Sequence, residues 1–89
     1  MLSKNKIKFI HSLELKKNRK EEHAFVAEGY KLVEDLLGHF PCRLLLATPA
    51  WLESHRHAEA HEVLEVTRDE LTRASLQKCP QDVLAVFSK

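Results

Sequence analysis

Glycine is scarce in this chain: Gly29 and Gly38 are its only two in 89 residues. A loop that cradles phosphates on main-chain N–H groups needs several glycines close together, so a glycine-rich nucleotide loop is excluded. Cysteine is equally scarce, and Cys42 and Cys79 sit in no metal-type spacing. Two such residues make no disulfide framework; both are expected to be reduced thiols packed as small hydrophobes. No apolar run approaches the ~18 residues needed to span a bilayer. The opening stretch MLSKNKIKFIHSLEL also lacks the unbroken apolar centre of a secretory signal, so a cytoplasmic protein with no membrane partner is expected. Neither cysteine lies in an electropositive loop that would activate a thiol, and no nucleophile, metal or cofactor constellation is visible.

What the chain does have is 44% hydrophobic and 30% charged residues, the balance of one folded domain rather than a disordered tail. At this length a single modest core is the upper limit, which excludes a two-domain enzyme within these residues. The formal net charge of +1 hides a strong asymmetry. Residues 1–20 hold seven basic side chains against Glu14, a net of +6, whereas residues 21–89 hold seven basic against twelve acidic, a net of −5. A basic N-terminal quarter on a near-neutral chain points to a polyanionic partner.

Along the chain, Ile7, Ile10 and Leu13 recur at helical spacing, with Lys4 and Lys8 on the opposite side, which predicts an amphipathic helix from Lys4 to Leu15. The charge run 16–20 then breaks the pattern and is expected to be a loop. AFVAEG predicts a short strand ended by Gly29, and YKLVEDLLG a second helix ended by Gly38. RLLLA is a continuous apolar run of strand length, as for a strand covered on both faces. Thr48 and Pro49 supply an N-cap and first-turn proline for a third helix through Trp51 and Leu52. HEVLEV predicts a third strand. Thr67 and Glu70 have capping-box spacing for a fourth helix toward Lys78, closed by Pro80, and DVLAVFSK forms the last strand. This α-β-α-β-α-β-α-β order predicts an α/β fold with a largely parallel or mixed four-stranded sheet and helices on its faces. A domain that stops on an apolar strand is expected to be part of something longer.

Lys16, Lys17, Arg19 and Lys20 are the candidate phosphate contacts, with Lys4 and Lys8 extending the patch and Lys31 joining from the next helix. Clustered cations bind RNA by releasing condensed counterions, and Arg19 suits bidentate phosphate binding or stacking on a base. Composition alone fits equally a solvated loop partly neutralised by Glu21 and Glu22. In HRHAEAH, His57 and His61 have a spacing that ligates zinc, but no fourth ligand stands near, so an exposed polar helix end is the favoured reading of His55, His57 and His61. Glu28 closes the first strand and is expected to cap the next helix or to pair locally. Trp51 is expected to pack in the core. Tyr30 is expected either to lie over the basic residues or to cover its helix.

The initial helix, LKKNRKEEHAFVAEGYKLVEDLL and the closing PQDVLAVF together resemble the N-terminal substrate-binding domain of SpoU/TrmH-type RNA 2′-O-ribose methyltransferases. The resemblance covers essentially the whole chain and is firmest at Lys16, Lys17, Arg19, Glu28, Gly29, Val33 and the Pro80–Gln81 approach to Val83–Val86. It implies an α/β/α sandwich of ribosomal-protein-like RNA-binding fold. It also implies a parent enzyme whose knotted catalytic domain, expected after residue 89, binds S-adenosylmethionine and forms a homodimer. None of that domain's motifs occurs here, so no cofactor is expected on these 89 residues and a monomer is expected. Asp82 departs from the family's frequent glycine. The implied partner is structured RNA, ribosomal or transfer. The alternatives are a free-standing ribosomal-type RNA-binding protein and, less directly, a protein-docking role for the His-rich segment.

Overall fold

A computed structural model describes residues 2–56, 58–76 and 82–89. The elements in chain order are α1 (Lys4–Ser12), α2 (Lys16–Glu22), β1 (Ala24–Glu28), α3 (Tyr30–Leu37), β2 (Cys42–Ala47), α4 (Pro49–Ser54), β3 (Glu62–Glu65), α5 (Arg68–Ala74) and β4 (Val83–Ser88). The expected fourth-helix end at Lys78 and the Cys79, Pro80 and Gln81 assignments lie outside the described residues, as does His57.

The four strands form one sheet in the order β1-β4-β2-β3. β4 pairs antiparallel with both β1 and β2, and only β2 and β3 are parallel neighbours. The sheet is therefore mixed, and the largely parallel form of the expectation is corrected. The physical reason is one reversed strand in a central position. β1, β2 and β3 share a direction, as helix-linked crossovers require, but β4 inserts between β1 and β2 and runs the other way.

Side-chain alternation sends β4 residues to both faces in turn. Leu84 and Val86 join Ile10, Leu13, Leu71 and Ala74 beneath α1 and α5, while Val83, Ala85 and Phe87 join Val33 and Trp51 beneath α3 and α4. This is the expected α/β/α sandwich. Val83 to Phe87 are all at most 1% exposed, so the last strand is the middle of the core.

β2 contains an irregularity. Its register with β4 slips between Cys42 and Leu44, so that Cys42 packs beneath α3 and α4 whereas Leu44 packs beneath α1 and α5. The extra residue, Arg43, is turned to the α1 side, where its guanidinium lies 5.5 Å from the centre of the Phe9 ring. Cys42 is buried, and desolvation pushes its thiol up to about 11, in keeping with an inert core residue.

The predicted caps are present. Thr48 accepts from the Trp51 N–H, and Thr67 and Glu70 form the reciprocal capping box. The second carboxylate oxygen of Glu70 accepts from Leu2 N–H at 2.8 Å, and this bond, with those at Thr67, lowers the Glu70 pKa. Gly29 precedes α3 at φ 96 and ψ 145, a region that is essentially glycine-only. Gly29→Ala is expected to lower stability by about 1–3 kcal/mol, read as a lower urea midpoint with unchanged m.

Candidate nucleic-acid interface

Residues 16–20 are not a loop. They form the first turns of α2, and the correction has a local cause. Lys, Arg and Glu are good helix formers, and no glycine or proline interrupts LKKNRKEEH. The last carbonyls of α1 need donors, and α2 supplies them from one face. Asn18 Nδ2 donates to Ser12 O at 2.8 Å, and one guanidinium nitrogen of Arg19 donates to Leu13 O at 3.0 Å and Glu14 O at 2.9 Å. His23 ends α2 in the left-handed conformation (φ 53, ψ 43), its N–H returning to Arg19 O.

At 100° per residue, Lys16, Lys20 and Lys17 fall within a 100° arc of α2, while Asn18 and Arg19 face α1. All three lysines are exposed and Arg19 is part-buried. The helix thus separates two roles that composition had merged: three lysines form the solvent face, and Arg19 clamps the joint beneath them. Lys8 and Lys4 stand one and two turns before the end of α1, both exposed. Lys31 does not join this group. It sits in the first turn of α3, at the other end of β1, roughly 16 Å of strand away. Tyr30 stands at that far end too, exposed, and does not cover the basic residues.

Charge divides between the helical layers. α1, α2 and α5 carry nine basic and four acidic side chains, whereas α3 and α4 carry Lys31 against Glu34, Asp35 and Glu53. Glu28 lies on the α5 side of the sheet, its carboxylate accepting from the Ser75 hydroxyl and from Leu76 N–H at 2.9 Å. It therefore anchors the chain leaving α5 rather than capping α3. Asp82 accepts from Arg68 at 2.9 and 2.7 Å across the surface.

The histidines separate. His55 stacks on Trp51, ring centres 4.0 Å apart and 5° from parallel. Its Nδ1 donates to Trp51 O at 2.9 Å and its Nε2 to Glu34 Oε1 at 2.7 Å. Both partners are acceptors, an arrangement that favours the doubly protonated, cationic ring over the neutral one. Desolvation opposes this charge, but the Trp51 carbonyl and Glu34 together outweigh it and raise the His55 pKa. Among the described residues, no three His, Cys, Asp or Glu side chains form a group fit for a metal ion. Trp51 itself is buried beneath α4, as expected.

Arg43 and Phe9 were not singled out from the sequence. One signal was available: an arginine opening a strand that is otherwise apolar on both faces needs an exit, which the irregularity provides.

With this geometry in place, the comparisons identify the family. The model of the MRM3-like substrate binding domain matches residues 4–85, and the chain belongs to this family. A protein from Porphyromonas gingivalis, assigned to the TrmH family of RNA methyltransferases, is 42% identical over 99% of this chain, with a TM-score of 0.89. An AdoMet-bound rRNA methyltransferase from Sinorhizobium meliloti is 29% identical over the whole chain, TM-score 0.76. The SpoU methyltransferase AviRb from Streptomyces viridochromogenes, at 17% identity over 98% of the chain and TM-score 0.76, shares the fold. The chain spans about a third of the length of these structures: 36%, 35% and 36% respectively. None of the curated proteins matches it.

Two predictions follow from the α1–α2 joint and the ring pair. Arg19→Ala should destabilise the fold by about 1–2 kcal/mol, whereas Lys17→Ala should stay within about 0.5 kcal/mol of wild type; urea melts compare them. The His55–Glu34 contribution should be full below about pH 6.5, the ring's ordinary value, and fade as pH rises through the elevated folded-state value. Urea melts from pH 5.5 to 8.5 should show that component in wild type and lose it in Glu34→Gln.

Proposed function

We propose that these residues form the RNA-docking part of an S-adenosylmethionine-dependent RNA 2′-O-ribose methyltransferase, acting on ribosomal or transfer RNA. The observation that carries this is the end-to-end match to about a third of a TrmH-family protein at 42% identity. The relatives named above are longer enzymes, which favours this reading over a free-standing RNA-binding protein. The basic layer supplies the physics. Lys16, Lys17 and Lys20 meet phosphates from one helical face, Lys8 and Lys4 continue the line along α1, and Arg19 holds the two helices at a fixed angle. Lys31 would meet RNA only where the strand wraps round the far end of β1.

In this reading the knotted catalytic domain lies elsewhere in a cytoplasmic, homodimeric parent and holds the cofactor. The donor set of these residues does not suit that group: Gly29 is consumed by the entry to α3 and Gly38 by its end, leaving no glycine-lined approach for a nucleoside. Their part is to bind and orient RNA so that one ribose hydroxyl is presented to the methyl donor.

Replacing Lys16, Lys17 and Lys20 together by Ala should weaken RNA binding at 50 mM salt and reduce the slope of log K against log salt by about 2–3, since each phosphate contact contributes ~0.7–0.9. Fluorescence anisotropy with ribosomal and transfer RNA at several salt concentrations measures both. An unchanged slope would remove the lysine face from the interface.

A further inference from the structure

An open groove of about 710 Å³ lies between α1 and the starts of β2 and β3. Its volume is in the range of ~300–1,000 Å³ typical of small-ligand sites. We infer that this groove holds one unpaired base of an RNA strand, stacked against Phe9 and Arg43; the inference rests on the RNA-docking reading above.

Three features select a base. The first is a stacking platform. Phe9 and Arg43 border the groove, and the Arg43 guanidinium lies over the Phe9 ring, 5.5 Å from its centre, so that cation and ring form one cation–π stack on the groove wall. Unstacked bases are held by aromatic and guanidinium planes of this kind. The second is the rim. Asn5 offers an amide donor and acceptor, and Lys6 Nζ and Glu62 Oε1 meet at 2.8 Å across the groove wall, with His61 beside them. A base edge carries mixed donors and acceptors and needs such a mixed rim, whereas an aliphatic ligand does not. The third is charge and continuity. Arg43 donates to Glu22 O at 3.1 Å, so the platform is tied to the end of the lysine-bearing α2. A strand whose phosphates lie along Lys16, Lys17 and Lys20 is thereby brought to the groove.

The irregularity in β2 explains why the platform exists. With regular alternation Arg43 would point to the α3 layer; the extra residue turns it out beside Phe9, and bulges are over-represented beside functional sites. A paired base cannot enter the groove, because its edge is occupied and its faces are covered by neighbours. The site therefore selects loops, bulges and single strands over continuous duplex.

The test uses the 89-residue chain with two RNA probes of equal length: a hairpin with an unpaired loop, and a blunt duplex. Wild type should prefer the hairpin about tenfold, as expected for one stacked base, and the hairpin alone should perturb the Phe9 ring and Asn5 amide signals in NMR. Phe9→Leu, which keeps an apolar side chain against α1, should lose most of that preference while binding duplex normally. Asn5→Ala, at an exposed position, should lose part of it without affecting the fold. Equal hairpin affinity in wild type, Phe9→Leu and Asn5→Ala, with binding still lost on replacing the three α2 lysines, would overturn the groove and leave the docking reading standing. Absence of RNA binding by wild type at 50 mM salt would overturn both.

Discussion

The structure depends on the burial of β4. Among the described residues it is the one strand paired on both sides by antiparallel neighbours, and its alternate side chains feed both helical layers. β1 and β2 are not hydrogen-bonded neighbours; their register relative to each other is set through β4. The order of β1, the irregularity in β2 and the position of α2 before β1 are therefore all referred to a strand more than forty residues further along the chain. Long-range pairing of this kind makes the sheet cooperative, since no two-stranded part of it that excludes β4, other than β2 with β3, has a partner.

On this scaffold the basic face is built by a junction between helices. A lysine-rich segment gains little from isolated helix formation at seven residues, because nucleation is costly at that length. Here tertiary bonds supply the nucleus: Asn18 and Arg19 satisfy carbonyls that α1 would otherwise leave to water. The same bonds aim the remaining lysines outward together. Fold and basic face are thus made by adjacent residues of one helix, which explains why KKNRK mixes lysine with one arginine and one asparagine.

Much of this was legible in the sequence. Short apolar runs and strand-forming residues placed every strand, and hydroxyl and proline signals placed α4 and α5, because caps and local composition are read within a few residues. Family resemblance identified the domain from the same segments that later matched over residues 4–85. Two things were not legible, for a shared reason. The winding of residues 16–20 depends on carbonyls in the preceding helix, and the direction of β4 depends on which strands it separates. Alternating helices and strands correctly imply that β1, β2 and β3 run one way, but neighbours in a sheet are not neighbours in the chain. The Phe9–Arg43 platform was hidden likewise, since it arises from a one-residue slip that is defined only against β4.

The unequal charge of the two helical layers has a directional consequence. A uniformly basic particle is drawn to a polyanion in any attitude and must search for the correct one after contact. A particle with an excess of cations on the α1–α2–α5 side and of carboxylates on the α3–α4 side carries a dipole across its sheet. In the field of a polyanion it experiences a torque as well as an attraction. It would be turned before it arrives, with the lysine face leading and the acidic layer trailing. The orientational search that slows most macromolecular encounters is then shortened in solution, at separations beyond the reach of any hydrogen bond.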